Sequence, residues 1–253
     1  MRSCLPSLMI VVLVAASLST RAPGARGAVP AIPARNFALE SHFDDYPPVA
    51  PVVNAYSSCW SYVHSDGREY AVLGCREGTA IYNVTDPAHA YRVGFVPGLP
   101  SQWREMKAYR DWIYVVTEAG TLLNGIVPGI QIIRMTDPEH PPLATTVAIS
   151  FNRAHTVSVD TSRALLYVNG TNRYDALGTL PSGMWVLSIA NPEAPVELAR
   201  WPAGTDPVGL AEYVHDCVPA GNRLYASSIY SGTERVFDVS DPSHPGEIGA
   251  FTY

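Results

Sequence analysis

The chain has 253 residues, 47% of them hydrophobic and only 16% charged, with a formal net charge of −6. That content is ample for a buried core and excludes a disordered tail. The 17 basic residues, 16 arginines and the single Lys107, form no run, which excludes a phosphate-backbone footprint and with it nucleic-acid binding.

Residues 1–27 read as an export signal. Arg2 supplies the positive start, Leu8 to Leu18 is apolar and uncharged, and Ala25-Arg26-Gly27 places small residues before a cleavage point. The apolar run is too short for a membrane span of about 20 residues; an uncleaved N-terminal anchor is the alternative. Residues 28–58 form an N-terminal segment in which Asn36–Phe43 reads as a lone strand. The mature chain is expected to be secreted or displayed at the cell surface, with no transmembrane segment.

From residue 59 the chain repeats itself. Thr79-Ala-Ile-Tyr-Asn-Val-Thr-Asp-Pro87, Gly129-Ile-Gln-Ile-Ile-Arg-Met-Thr-Asp-Pro138, Gly183-Met-Trp-Val-Leu-Ser-Ile-Ala-Asn-Pro192 and Glu234-Arg-Val-Phe-Asp-Val-Ser-Asp-Pro242 share one pattern. Asp86, Asp137, Asn191 and Asp241 are spaced by 51, 54 and 50 residues. An Asx side chain caps a turn by accepting nearby backbone N–H groups and proline presets the next φ, so these acids are read as turn-makers rather than ligands. With 19 glycines and 22 prolines punctuating short runs of Val, Ile, Tyr and Leu, each repeat divides into four strands. The first has strands near 59–64, 69–74, 79–84 and 91–96. The second has 103–108, 112–117, 129–135 and 143–149, with a long loop around Gly120–Pro128. The third has 155–160, 164–169, 183–189 and 195–201, with an inserted loop around Thr171–Ser182. The fourth has 212–218, 223–228, 234–239 and 246–252. A four-stranded meander recurring about every fifty residues is the unit of a propeller blade. The fold expected is an all-β β-propeller, with blades at about 59–98, 102–149, 152–201 and 212–253. Because the fourth blade brings its own last strand, Asn36–Phe43 has no obvious blade to complete. The four blades are therefore expected to form an incomplete ring, a closed four-bladed ring being the alternative.

Export permits disulfides, and Cys59, Cys75 and Cys217 follow the signal. Cys59 and Cys75 flank a hairpin turning at Ser65-Asp66-Gly67-Arg68; pairing 64 with 69 brings them close enough for a bridge, with two buried free thiols as the alternative. Asn169-Gly-Thr171 opens a loop and is the better N-glycosylation candidate, ahead of Asn83-Val-Thr85.

Val-Phe-Asp-Val-Ser-Asp-Pro-Ser-His-Pro and its three relatives resemble the LVIVD repeat of secreted bacterial and archaeal propellers. Cys59-Trp-Ser-Tyr, Asp66-Gly-Arg-Glu-Tyr-Ala-Val-Leu-Gly74, Trp103-Arg-Glu-Met-Lys107, Ala154-His155-Thr and Val214-His215-Asp216 are similar to the choice-of-anchor B family. The likeness covers nearly all of residues 36–253 and implies an extracellular or cell-surface propeller without a settled enzymatic activity.

Counting back from Tyr70, Tyr114, Tyr167 and Tyr225 reaches Trp60, Arg104, His155 and His215. If the first strand of each blade is innermost, these residues gather at one mouth of the central channel, together with Glu105 and Asp216. Imidazole beside carboxylate is a ligand-binding or metal-coordinating set; the alternative is that each His fixes inter-blade packing. No Gly-x-Ser-x-Gly elbow, supported Ser–His–Asp order or phosphate loop occurs, so no catalytic residue is assigned and no cofactor is implied. Two function classes follow. The first is a non-catalytic binding or adhesion module for an extracellular protein or polysaccharide; the other is an exported metal-assisted hydrolase or lyase built on His155, His215 and Asp216.

Overall fold

The computed structural model describes residues 36–48, 54–119, 129–140, 145–147, 151–175, 178–181, 183–202 and 212–253. The expected export signal at 1–27 and the loop expected around 120–128 lie outside them. The chain divides into two units, Met1–Asp45 and Tyr46–Tyr253. In the first, residues 36–43 form no strand, contrary to expectation. A strand is defined by its ladder, and among the described residues none pairs with this stretch.

The second unit holds four antiparallel four-stranded sheets, each a meander. The first is β1 (Tyr56–Val63), β2 (Glu69–Cys75), β3 (Gly78–Asn83) and β4 (Tyr91–Pro97), and the second β5 (Arg104–Tyr109), β6 (Trp112–Thr117), β7 (Ile130–Arg134) and β8 (Thr145–Val147). The third is β10 (Thr156–Asp160), β11 (Leu165–Asn169), β14 (Met184–Ser188) and β15 (Val196–Trp201), and the fourth β16 (Asp216–Ala220), β17 (Arg223–Ser228), β18 (Thr233–Asp238) and β19 (Gly246–Thr252). One feature was not foreseen. β9 (Phe151–Arg153), β12 (Asn172–Asp175) and β13 (Gly178–Pro181) make a separate three-stranded sheet, so the insertion read as a loop at 171–182 contains a hairpin.

The first strands pack in series, β1 on β5, β5 on β10 and β10 on β16. Each sheet presses its faces on its neighbours, and the core is three inter-sheet layers. Tyr70, Val72, Ile81, Met106, Ile113 and Val115 fill the first, and Tyr114, Val116, Ile132, Val157, Leu166 and Trp185 the second. Tyr167, Val186, Cys217, Leu224, Ala226 and Phe237 fill the third. A sheet covered on both sides has no polar alternation, which is why β6 and β11 read as the continuous runs Ile113-Tyr-Val-Val116 and Leu165-Leu-Tyr-Val168. Strands β2 and β17 alternate buried with more exposed residues, because their sheets have only one sheet neighbour each. Among the described residues the first and fourth sheets do not pack together as successive sheets do. The arrangement is an open series, and the closed four-bladed alternative is not formed.

The Asx-Pro turns do what their chemistry requires. Asp86, Asn191 and Asp241 accept the backbone N–H two residues on, at 3.1, 3.3 and 2.9 Å. Three of the turns also hold a histidine: His89, His140 and His244 sit 2.7, 3.2 and 2.8 Å from Asp86, Asp137 and Asp241. The turns further clasp the sheet before them. Glu139 accepts from Tyr70 Oη (2.7 Å), Asn83 Nδ2 (2.8 Å), Tyr91 Oη (3.0 Å) and Arg68 Nη1 (3.1 Å). One repeat on, Glu193 accepts from Trp112 Nε1 (3.2 Å) and Arg134 Nε (2.7 Å), and Pro192 O accepts from Tyr114 Oη (2.9 Å).

The expected disulfide is not present: Cys59 and Cys75 are not bridged to each other. The hairpin pairs Val63, not His64, with Glu69, so Cys59 stands opposite Leu73, and a bulge between Tyr56 and Cys59 then sets Cys75 opposite Tyr56. Cys75 is buried and Cys59 is exposed. Asn169 is also corrected as a glycan acceptor. It ends β11, its side chain is 0% exposed, and Nδ2 donates to Thr156 Oγ1 at 3.2 Å. Asn83, in the other acceptor motif, is buried on Glu139. Neither side chain is open to modification in the folded chain.

Candidate functional site

The ladders fix which positions correspond. Lys107, Ser158 and Val218 stand opposite Tyr114, Tyr167 and Tyr225. Arg104, His155 and His215 lie three residues earlier and correspond to one another, as their spacing from the tyrosines suggests. Trp60 does not belong to this set. It faces Val72, whose next partner Ile81 stands five residues before Asp86, as Ile132, Val186 and Val236 stand before Asp137, Asn191 and Asp241. Trp60 therefore corresponds to Lys107, and counting from Tyr70 misplaced it because Tyr70 lies two residues before the equivalent position.

His155 and His215 come together. Their rings are 4.3 Å apart, and Trp103 meets His155 edge-on with centroids 5.9 Å apart. Both histidines precede the first strand of their sheet, where the strands β5, β10 and β16 pack in series. Their backbones are pinned: His155 N donates to Asn169 O (2.9 Å) and His215 N to Ser227 O (2.8 Å). Each side chain leans toward the preceding sheet. Glu118, just after β6, bonds His155 Nδ1 and holds its ring. Tyr213 closes the group on the other side. A Cβ on Gly170 would lie 2.5 Å from Tyr213 Oη and 2.6 Å from the His155 Cβ. Gly170 also has φ +59°, in the left-handed region, so glycine is required there on two counts. Tyr213 in turn meets Tyr230 at 5.1 Å.

Burial, and then the nearby charge of His155, hold His215 below the ordinary histidine range, against the opposing pull of Asp216 and Glu118. Asp216 does not enter the ring cluster as a free carboxylate. Its Oδ1 accepts from Cys217 N (2.8 Å) and Thr156 Oγ1 (3.3 Å), which fixes the start of β16.

The other residues expected at the mouth do different work. Arg104 is buried, with Nε donating to Cys75 O (3.0 Å) and Nη2 to Leu99 O (2.6 Å). It ties the chain crossing from the first sheet to the second, and burial lowers its pKa. Glu105 pairs with Lys107, whose ammonium lies 4.2 Å over the Trp60 ring. Trp60, Glu105 and Lys107 thus form a second small group on β1 and β5. Glu118, Trp103 and Tyr213 were not singled out from the sequence. For Trp103 the signal was available, since it adjoins Arg104 in the strand-opening position; Glu118 meets His155 only through sheet-to-sheet packing.

Among the described residues no group of three or more His, Cys, Asp or Glu side chains is placed to hold a metal ion. What the site presents is a carboxylate-oriented imidazole, a second imidazole kept neutral, and an aromatic border. Such a surface donates and accepts hydrogen bonds beside apolar ring faces.

No family model matches the chain, and no curated protein matches it. Solved structures do. A periplasmic gluconolactonase from Pseudomonas aeruginosa superposes with a TM-score of 0.52 at 13% identity, over 84% of this chain and 58% of that one. A Bacteroides fragilis protein provisionally named a 6-phosphogluconolactonase gives 0.51 at 10% identity, over 84% and 59%. The chain thus spans just under three fifths of the length of each of these two structures. At these identities the likeness concerns the fold alone, and it agrees with the sheet order: the chain is built as a β-propeller of four-stranded blades.

Proposed function

We propose that this chain is an exported propeller of the LVIVD-repeat, choice-of-anchor B kind that acts as a non-catalytic binding module. Its ligand is an extracellular polysaccharide, taken at the surface formed by Trp103, Glu118, His155, His215 and Tyr213. The observation that carries this reading is the juxtaposition of His155 and His215 at 4.3 Å with Trp103 on their border. A sugar ring offers axial C–H groups to an aromatic face and hydroxyls to imidazole and carboxylate, and the cluster supplies both kinds of partner. The repeats and the signal-like N-terminus support export. Catalysis is not assigned. The metal-assisted alternative would need ligands converging on one point, and the carboxylates near His155 and His215 are engaged otherwise: Glu118 holds a ring and Asp216 caps a strand. The lactonase names of two structural neighbours are not transferred, since function lives in sites rather than folds.

An array of glycans and peptides probed with the chain lacking residues 1–27 tests the reading. Glycan signals that vanish in Trp103→Ala and His155→Ala are expected. Peptide-only binding, or glycan binding indifferent to both substitutions, would overturn it.

A further inference from the structure

The first strands of the sheets carry a second aromatic surface besides the His155 cluster. Trp60 on β1 is 40% exposed, and Trp103, just ahead of β5, is 43% exposed. Both lie where neighbouring sheets of the series meet. Trp60 touches Lys107 of the second sheet, and Trp103 touches His155 of the third. A large apolar ring left open to solvent there does not serve the core. The third sheet shows what packing alone asks of the Trp60 position: Ser158 stands there, and its Oγ donates to the Cys217 carbonyl of the next sheet. The first sheet has a tryptophan instead.

The group around Trp60 is held in place. The Lys107 ammonium lies 4.2 Å from the ring centroid, and Glu105 pairs with that ammonium. Each of the two charged side chains keeps 18% of its surface exposed, and their charges cancel. A sugar hydroxyl donates to the Glu105 carboxylate or accepts from the Lys107 ammonium without breaking the pair, whereas a ligand carboxylate meets Glu105 and a ligand ammonium meets Lys107. The formal net charge of −6 also works against polyanions.

The two aromatic surfaces are joined by one strand. Trp103 O accepts from Glu118 N at 3.3 Å, which carries the β5–β6 ladder one residue past Arg104. Trp103, Glu105 and Lys107 therefore alternate along one side of an extended strand, with Lys107 about 13 Å beyond Trp103. One end of this row meets His155 and the other meets Trp60.

We propose that the ligand is a linear, uncharged polysaccharide lying lengthwise along β5, with one sugar at the Trp103–His155 surface and a later one on Trp60 beside Glu105 and Lys107. The inference rests on the glycan reading of the His155 surface and adds to it a second contact and a ligand class.

Isothermal titration of the whole chain with cello-, manno- and malto-oligosaccharides, from disaccharide to hexasaccharide, tests this, with oligogalacturonides as the acidic comparison. Affinity is expected to climb with length in an uncharged series. Trp60→Ala should weaken hexasaccharide binding about tenfold and leave the disaccharide unchanged, because only the longer chain reaches that ring. Trp60→Phe, which keeps an aromatic face, should retain most of the gain. Lys107 is the only lysine in the chain, so reductive methylation with labelled formaldehyde puts a single side-chain amine probe at this group in the unsubstituted protein. Its NMR resonance should shift with the hexasaccharide and not with the disaccharide. Affinity independent of length, a Lys107 signal indifferent to the hexasaccharide, or preference for the oligogalacturonides would overturn the inference and leave the glycan reading of the His155 surface standing. Absence of binding in every series would overturn both.

Discussion

Replacing Glu139 by alanine removes the acceptor on which the first two sheets converge. Two of its four donors are buried, Tyr70 Oη at 2.7 Å and Asn83 Nδ2 at 2.8 Å; Tyr91 and Arg68 reach it from more exposed positions. A hydrogen bond to a charged group contributes about 1.5–3 kcal/mol, and a stranded buried donor loses that in full. Exposed partners contribute about 0–1 kcal/mol. The two buried donors thus set the cost of Glu139→Ala at roughly 3–6 kcal/mol, measured as the change in urea-unfolding free energy. Burial by itself raises the Glu139 carboxyl, but the bonds from Tyr70, Asn83 and Tyr91 and the charge of Arg68 outweigh it, so its pKa lies below the usual glutamate range. A carboxylate depressed in the folded state contributes stability above the unfolded pKa of about 4.3, and that contribution disappears as pH falls through the lower folded value. Glu139→Gln should therefore flatten the acid limb of the stability profile. Glu193→Ala, whose partners are the more exposed Trp112 and Arg134, should cost less. A Glu139→Ala loss within about 0.5 kcal/mol of zero, the ordinary range for surface changes, would refute the clasp.

Other outcomes follow from the site and the cysteines. Because His215 is held below the ordinary histidine range, the folded state resists its protonation, so stability is complete above about pH 6.5 and declines as pH drops below that value; His215→Gln should remove this component from a pH series of thermal melts. Gly170→Ala places a Cβ against Tyr213 and His155 in a left-handed backbone, so it should weaken glycan binding with the Trp103 and Glu118 side chains untouched, as measured by isothermal titration. Burial pushes the Cys217 thiol up to about 12, whereas Cys59 is exposed. Iodoacetamide followed by peptide mapping should therefore modify Cys59 rapidly and Cys217 only on unfolding.

The architecture was legible in the sequence because its cause is local. Asp86, Asn191 and Asp241 cap turns with their own side chains, and that chemistry marks the blade period without reference to the rest of the molecule. The uninterrupted apolar runs at 113–116 and 165–168 likewise announce sheets covered on both faces. The pairing of His155 with His215 was legible for a related reason: a repeat places equivalent residues of adjacent sheets side by side. What failed depended on register or on tertiary contact. A one-residue difference in register at the first hairpin turn, Val63 rather than His64 opposite Glu69, undid the expected disulfide. Tyr70, two residues out of phase with Tyr114, Tyr167 and Tyr225, misplaced Trp60. Arg104 shares its repeat position with the histidines, yet its longer side chain turns to the backbone carbonyls of Cys75 and Leu99 instead of joining them. Glu118 carries no local mark at all, since its importance comes from the neighbouring sheet that delivers His155.

The ligand site is tested most directly by histidine side-chain NMR during titration with a glycan that binds the chain. The imidazoles of His89, His140 and His244 lie in Asx-Pro turns and serve as internal references. Binding at the proposed surface shifts the resonances of His155 and His215 and leaves the three turn histidines in place. Saturable binding with His155 and His215 unmoved, or with shifts confined to the turn histidines, would contradict it.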